Sequence, residues 1–321
     1  MNTQSRAALI LASLVGVLVV SEPTFSAKYA GESFSLGVGG RGLALGGAVV
    51  AGPFDGTAPY WNPAGMDLLT SRNFTAMHAE MFGALLNQDF LSYVDTRSAG
   101  GASKSLVDAF GFYLYYLGGG GIKLTELDQD NRPYVVREES HGDWLFSAAV
   151  SRAITSDIHV GVTGKIIYRD LGVESGWGLS SDAGAVYQPC ECTSFGLMVT
   201  DITTGFIRYS GSTESIYPTV KPGVTLSYQR GDFTGRLLGS GDIKFENIKT
   251  AAQYWSGPLS LDTHFGGELD YRALLFGRAG FDIGRFTAGV GVLYRKISFD
   301  FAYLNHDTFD ETLRFSAGYQ F

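Results

Sequence analysis

The sequence predicts an all-β protein, a transmembrane antiparallel β-barrel of about 14 strands with an N-terminal hatch in the lumen. Three observations predict it: period-two alternation of apolar and polar residues, a composition rich in aromatics and poor in charge, and a Gly-rich stretch that does not alternate. The 321 residues include 43 Gly, 17 Tyr and 22 Phe, and 17% are charged, against about 25% in soluble domains. Short amphipathic strands with many turns and aromatic girdles explain this composition.

The chain begins like a secretory signal peptide. Arg6 precedes an apolar run, Ala7–Val20, that is too short to span a bilayer as a helix but suits a signal-peptide core. Cleavage after Ser26 fits the small-residue rule as well as cleavage after Ala27. We therefore assign residues 1–27 to a signal peptide, with an uncleaved membrane anchor as the alternative.

The C-terminus gives the clearest strand. Apolar or aromatic residues alternate with polar or small ones, at Leu313, Phe315, Ala317, Tyr319 and Phe321. A last strand that closes on an aromatic residue is usual in bacterial outer-membrane barrels, and the strand ending in Phe321 predicts recognition by the barrel-assembly machinery. Roughly fourteen such segments follow Asn73, and an even count returns both ends to one side. Residues 70–321 are thus predicted to form a barrel surrounded by outer-membrane lipid.

Charged residues in these segments fall opposite the aromatics. Because bare charges facing lipid are expensive, we predict that the following residues face the lumen: Lys165, Arg169, Glu268, Asp270, Arg278, Arg295 and Asp300. Glu268 and Asp270, two apart on one face, look like an acid/base pair, but we interpret them as partners of the lumen cations. The long polar stretches Gly118–Asp143 and Asp201–Lys221 are predicted to be external loops.

Residues 28–69 do not alternate. Their glycines at Gly40–Gly46 are spaced G-x-G-x-x-x-G, one residue too long for the dinucleotide fingerprint, and no βαβ context accompanies them. In the Asn62, Pro63, Ala64 motif, Pro63 fixes φ and Asn62 can bond the backbone of a turn. The glycines allow the backbone to lie against a barrel wall. We interpret the segment as a hatch in the lumen; the alternative is a flexible periplasmic leader.

Both ends of the chain also resemble a known family. Gly39–Met66, with its G-R-G-L-A-L-G-G and Y-W-N-P-A-G, resembles the N-terminal segment of the PorV/PorQ family, and Gly267–Phe321 resembles its C-terminal strands. That family is similar to the FadL long-chain fatty-acid transporters, which carry the same Asn-Pro-Ala. The resemblance implies a barrel of about fourteen strands with a hatch that contains Asn62, Pro63 and Ala64.

Other kinds of site find little support in the sequence. Cys190 and Cys192 form a C-x-C pair that fits a strained disulfide, half a metal site or a tight turn, and no second Cys or His cluster supplies the remaining zinc ligands. The turn is favoured, and no metal or cofactor is predicted. No histidine lies in a nucleophile motif, so we predict no catalytic residue and no enzyme. A net charge of −8 argues against a nucleic-acid partner.

The leading prediction is an outer-membrane channel for passive transport of small hydrophobic or amphipathic solutes, gated by the hatch. The alternative is a PorV-like shuttle or scaffold of type IX protein secretion, which binds secretion-system proteins and transports no solute.

Overall fold

The structure is a computed structural model that describes residues 30–96, 107–245, 252–305 and 311–321. The predicted signal peptide, residues 1–27, lies outside the described residues. The described chain starts with short helices: 3₁₀ helices at Glu32–Phe34 and Pro63–Leu68, and α-helical turns at Gly40–Ala44 and Ala58–Trp61. In the part of the chain that the structure describes, no helix is long and apolar enough to cross a membrane.

From Asn73 onward the chain is mainly strand, because apolar and polar residues alternate there with a period of two. The strands are β1 (Asn73–Met81), β2 (Leu86–Thr96), β3 (Ala109–Leu127), β4 (Pro133–Ala153), β5 (Ile158–Asp170), β6 (Ser175–Cys190), β7 (Thr193–Thr200), β8 (Gly205–Arg208), β9 (Thr213–Ile216), β10 (Thr219–Arg230), β11 (Phe233–Lys244), β12 (Tyr254–Ser256), β13 (Leu259–Tyr271), β14 (Leu275–Asp282), β15 (Arg285–Tyr294), β16 (Ile297–Leu304) and β17 (Thr312–Gln320).

Fourteen of the described strands form a closed antiparallel ring, which confirms the predicted fold class and strand count. Neighbours along the chain pair with each other, while β8, β9 and β12 only extend the sheet at one rim. The ring closes where β1 pairs with β17, with Asn73 opposite Gln320. We call the rim that holds these two residues the terminal rim, and the other the opposite rim.

The two faces of the ring differ as the alternation predicts. On β17, Phe315 is 52% exposed whereas the neighbouring Arg314 is 1% exposed. The same alternation runs along β5 and β13, where buried polar residues such as Lys165 and Glu268 alternate with exposed apolar ones. An apolar outer wall around a polar interior is the arrangement of a barrel that faces lipid.

Connections at the terminal rim are short wherever the structure describes them. One of them, Glu191–Cys192, joins β6 to β7, and Cys190 and Cys192 form a disulfide across it. The C-x-C pair is therefore both a tight turn and a disulfide. The turn Gly231–Asp232 joins β10 to β11 at the same rim.

The prediction that Arg295 faces the lumen is wrong. Strand β15 ends at Tyr294, and Arg295 begins the two-residue turn to β16 with a φ of 58°. Its side chain is exposed, and its guanidinium carbon lies 5.4 Å from the centroid of the Tyr294 ring. The alternation phase continued through Arg295 in the sequence because nothing in the Tyr-Arg-Lys-Ile run marks a turn.

The two stretches predicted to be external loops contain strand as well as loop, and their position outside the cell stays a prediction. Strands β3 and β4 stay paired from Gly118 opposite Gly142 out to Leu127 opposite Pro133, apart from two register shifts. The stretch Asp201–Lys221 contains the β8–β9 hairpin, and β8 pairs with β6. The β3–β4 projection exposes both faces, so neither face is buried against the barrel, yet its backbone groups still satisfy each other across the hairpin.

The outward position of Phe315 gives a test of the lipid-facing wall. Phe315→Arg should lower the free energy of unfolding by about 2–4 kcal/mol, because a cation would then face hydrocarbon. Urea unfolding in lipid vesicles measures this. Phe315→Leu, which stays apolar, is the control, and equal losses in the two variants would contradict the assignment.

Candidate functional site: the barrel interior

The N-terminal segment, residues 30–69, bonds to inward-facing residues on widely separated strands. These bonds run from Ser92 Oγ of β2 to Gly56 O (2.6 Å), from Thr225 Oγ1 of β10 to Gly52 O (2.8 Å), from Thr287 Oγ1 of β15 to Ala44 O (3.1 Å) and from Gly40 N to Ser316 Oγ of β17 (2.9 Å). Because these strands lie on different sides of the ring, the segment lies between them.

The Asn62–Ala64 motif caps the 3₁₀ helix Pro63–Leu68. Asn62 is fully buried, and its Oδ1 accepts from Ala64 N at 3.1 Å. Its Nδ2 donates to Val50 O at 2.8 Å and to Ala185 O of β6 at 3.3 Å. One side chain therefore caps a helix, ties two parts of the segment together and bonds to the barrel wall.

A pair of glycines on the wall receives this motif. Gly161 of β5 stands opposite Gly184 of β6. A Cβ on Gly161 would lie 2.5 Å from the Pro63 carbonyl carbon, and one on Gly184 would collide with Asn62 Oδ1. Any side chain here would push against backbone or a buried cap, so the motif can approach the wall only where both residues are glycine.

Two more cross-strand glycine pairs repeat this arrangement. Gly196 of β7 faces Gly223 of β10, and a Cβ on either would press on Val50. Gly266 of β13 faces Gly280 of β14, where added Cβ atoms would lie 2.6 Å from Leu45 O and 2.7 Å from Gly46 N. We call these three pairs the glycine seats, because the segment backbone rests on each of them.

An ion-pair network holds the other side of the segment. The Glu268 side chain is fully buried and accepts from Arg41 Nε (2.9 Å) and Nη2 (2.8 Å), a bidentate pair. Arg278 Nε and Arg236 Nη1 donate to the same carboxylate, both at 2.7 Å. Burial by itself lowers the pKa of the Arg41 guanidinium, but the charge and hydrogen bonds of Glu268 raise it above its ordinary value.

The remaining carboxylates of this network balance its charge. Arg278 Nη1 also binds Asp300 Oδ1 at 2.6 Å, and Arg236 Nη1 lies 3.4 Å from Asp270 Oδ2. We call Arg41, Arg236, Glu268, Asp270, Arg278 and Asp300 the Glu268 cluster. Three cations face three anions in it, so these groups offset one another's charge.

Lys165 and Arg169 lie on the interior of β5. Lys165 Nζ binds Asp182 Oδ1 at 2.6 Å and Asp201 Oδ1 at 2.7 Å. Arg169 forms a bidentate pair with Asp143 (2.8 and 3.0 Å) and donates to Ser33 Oγ of the segment at 2.7 Å. Arg169 thus links the wall to the N-terminal segment.

Sequence reasoning missed several of these partners. Arg41 lies in a segment without periodicity, so no pattern gave its direction. Arg236 and Asp182 do lie on alternating strands, but their roles depend on cross-strand register, which places Arg236 opposite Glu268. Among the side chains that the structure positions, no group of three or more His, Cys, Asp and Glu could hold a metal ion.

One sector of the interior is apolar. Inward residues of β1 to β5 form a buried cluster with residues of the segment, and its strand members include Met77, Met81, Phe90, Tyr113, Tyr115 and Ile167. Tyr60 of the segment packs among them, with its ring centroid 5.9 Å from that of Tyr113 and 6.3 Å from that of Phe90. We call these inward residues the apolar sector.

Cavities lie on both sides of the segment. A cavity of about 310 Å³, the opposite-rim cavity, is lined by Leu36, Trp61 and Phe82 together with charged residues of the wall. A second cavity of about 540 Å³ is lined by Phe54, Leu69 and residues of the terminal rim, Cys192 among them. The segment separates the two.

Comparison of the fold with solved structures finds hydrocarbon channels. The "CymD monoaromatic hydrocarbon channel" aligns with a TM-score of 0.57 and 12% identity over 89% of this chain and 98% of that one. The Pseudomonas putida toluene transporter TodX aligns with a TM-score of 0.50 and 11% identity over 88% of this chain and 97% of that one. At these identities the likeness shows a shared fold. No family model and no curated protein matches the sequence.

The glycine seats predict that a Gly→Ala substitution disturbs the segment when the new methyl points into the barrel, and not when it points outward. Gly161→Ala would place a Cβ against Pro63 and should loosen the Asn62–Ala64 turn, at an overpacking cost of about 1–3 kcal/mol. Hydrogen exchange of the peptide that contains Ala64 should become faster. Gly164→Ala on the same strand points outward into open space and should leave exchange unchanged; if both variants behave alike, the seat has no role.

The Glu268 cluster predicts that the free energy of unfolding depends strongly on the negative charge of Glu268. Glu268→Gln would leave three arginines short of their shared anion and should cost about 3–5 kcal/mol of unfolding free energy. Asp232→Asn removes a carboxylate from an exposed pair with Arg272 and should cost less than about 1 kcal/mol. Urea unfolding of both variants in vesicles makes the comparison, and a mild effect at Glu268 would contradict the network.

Proposed function

We propose that the protein is a bacterial outer-membrane channel for passive transport of small hydrophobic or amphipathic solutes, and that the N-terminal segment is its hatch. The apolar sector is the observation that carries this proposal. The interior of a porin is polar and filled with water, whereas here an inward-facing patch of methionines, tyrosines and leucines continues from β1 to β5.

The packing of this sector explains how the hatch would gate it. Tyr60, Trp61 and Phe34 of the segment cover the sector in the structure, and the segment separates the two cavities. A shift of the segment would uncover apolar wall and join the cavities. The segment is built of short helical turns and not of one rigid element, so part of it can move while the strand pairs keep the ring closed.

The solved structures of similar fold support the same class of solute. CymD and TodX are described as a monoaromatic hydrocarbon channel and a toluene transporter, and this chain covers nearly the whole of each. Once the segment has shifted, the aromatic side chains of the sector can offer edge and face contacts to the ring of a hydrophobic solute.

The second candidate function is a PorV-like scaffold of protein secretion. The resemblance of both chain ends to the PorV/PorQ family suggests it, and one structural feature favours it. The β3–β4 projection exposes Leu127, Tyr134, Val135 and Val136 beyond the ring, and such a ridge can present apolar contacts to another protein. Co-purification with secretion-system proteins that depends on this ridge would favour the scaffold.

Removal of the hatch tests the channel. Deletion of Ala30–Met66 should leave a folded, heat-modifiable barrel, because the β1–β17 closure and the outer wall remain. Conductance in planar lipid bilayers should rise, since a ring of about 14 strands is wide enough to leak without a plug. Arg41→Gln, which loosens one anchor of the hatch, should give a smaller rise.

Arg72→Gln is the matched control for Arg41→Gln, because Arg72 forms an exposed pair with Asp95 outside the segment. Its conductance should equal that of the unchanged protein. If the deletion variant folds and conducts no better than the full chain, the segment is not a hatch and the secretion scaffold becomes the preferred function.

A further inference from the structure

We propose that the opposite-rim cavity binds a compact monocarboxylate, an aromatic or short aliphatic acid, with the Arg314 guanidinium as the partner of its carboxylate. The proposal rests on the proposed function in one respect, because it names the solute class that would enter the channel. It concerns a binding site, however, and binding can be measured apart from transport.

Arg314 is a buried cation without a carboxylate partner among the described residues. It is 1% exposed, and its Nη2 donates to Gln88 Oε1 at 2.8 Å and to Leu36 O at 3.2 Å, both uncharged acceptors. Its Nε and Nη1 are buried and have no hydrogen-bond partner. A buried cation with two unused donors is costly. Arg314 also lines the cavity, and a rotation of its guanidinium that turned these donors toward an anionic ligand there would remove that cost.

The other cations that line this cavity are already paired. Lys221 binds Asp242 and Lys244 binds Glu32, both at 2.6 Å. Arg285 Nη2 lies 3.3 Å from Asp282, which also lies 3.0 Å from His264 Nδ1. The remaining carboxylate of the lining, Asp262, accepts from Gln253 N. Arg314 is therefore the cation in the described lining that is left for a ligand.

The rest of the lining is apolar and sets the size of the ligand. Leu36, Leu43, Trp61, Met81, Phe82 and Leu304 face the same space. Its volume of about 310 Å³ is roughly twice the ~150 Å³ that suffices to hold benzene. One ring or a short chain with a carboxylate fills such a space, whereas a long acyl chain exceeds it.

Because the Arg314 guanidinium is buried next to apolar side chains, the cavity also favours an acid over a hydrocarbon as its ligand. A hydrocarbon would fill the volume but leave Nε and Nη1 unpaired and further removed from water. A carboxylate supplies the opposite charge and accepts hydrogen bonds from guanidinium nitrogens. The apolar part of the same ligand would contact Trp61 and Phe82.

Calorimetric titration of the full-length protein in detergent with benzoate and with benzyl alcohol, its uncharged counterpart, tests the site. Benzoate should bind on the order of tenfold more tightly, because hydrogen bonds to a charged partner are the stronger kind. Arg314→Gln should abolish this preference, and Arg314→Lys should keep part of it. Arg285→Gln, which removes a paired cation from the same cavity, should preserve the preference.

Three results would overturn the proposal: no preference for benzoate in the unchanged protein, a preference that persists in Arg314→Gln, or tighter binding of palmitate than of benzoate. The first and third comparisons use the unchanged protein, so they decide the matter even if Arg314→Gln fails to fold. Uptake of benzoate into proteoliposomes distinguishes failure of the binding site from failure of the channel. If benzoate binds but is not taken up, the channel is refuted and the binding site stands. If benzoate is taken up but is not preferred over benzyl alcohol, the binding site is refuted and the channel stands.

Discussion

Hydrocarbon offers no hydrogen-bond partner to the edge of a strand, and closure of the ring between β1 and β17 is the constraint on which the rest of this molecule depends. Closure fixes an inside and an outside, and the pleat then sends alternate side chains to each. The apolar set, Phe315 among them, faces outward. The polar set is confined to an interior of limited width, where every charge needs a partner.

Apart from Arg314, which has no carboxylate partner among the described residues, the interior meets this demand by different means in different sectors. On the side of β11 to β16, three arginines and three carboxylates neutralise one another around Glu268. On the side of β1 to β5, the wall itself is apolar and packs against the aromatic residues of the N-terminal segment. Between them the segment rests on paired glycines, so backbone meets backbone where no side chain would fit. A single short segment can therefore bond to strands on several sides of a wide ring.

Features that depend on local sequence patterns could be predicted, whereas features that depend on long-range contacts could not. Period-two alternation is a local signal, so the strands, their facing and the interior position of Lys165, Arg169, Glu268, Asp270, Arg278 and Asp300 could be read from the sequence. Arg295 could not, because a two-residue turn leaves no mark on the alternation. The β3–β4 projection reads as a loop because both of its faces are exposed. The partners of Arg41, Arg236 and Arg314 could not be predicted, because they depend on cross-strand register and on the path of a segment that has no periodicity.

The bond between Gly40 and Ser316 joins residues 276 positions apart, and it bears on how the molecule is assembled. The segment that leaves the ribosome early has its last partner on the final strand. Contacts of such long range form late, because chain entropy opposes them until most of the structure exists. The segment therefore forms its full set of bonds only when β1 pairs with β17 and closes the ring. Until then the nascent barrel is open between these two strands, and the step that closes it against lipid also completes the bonds between the segment and the wall.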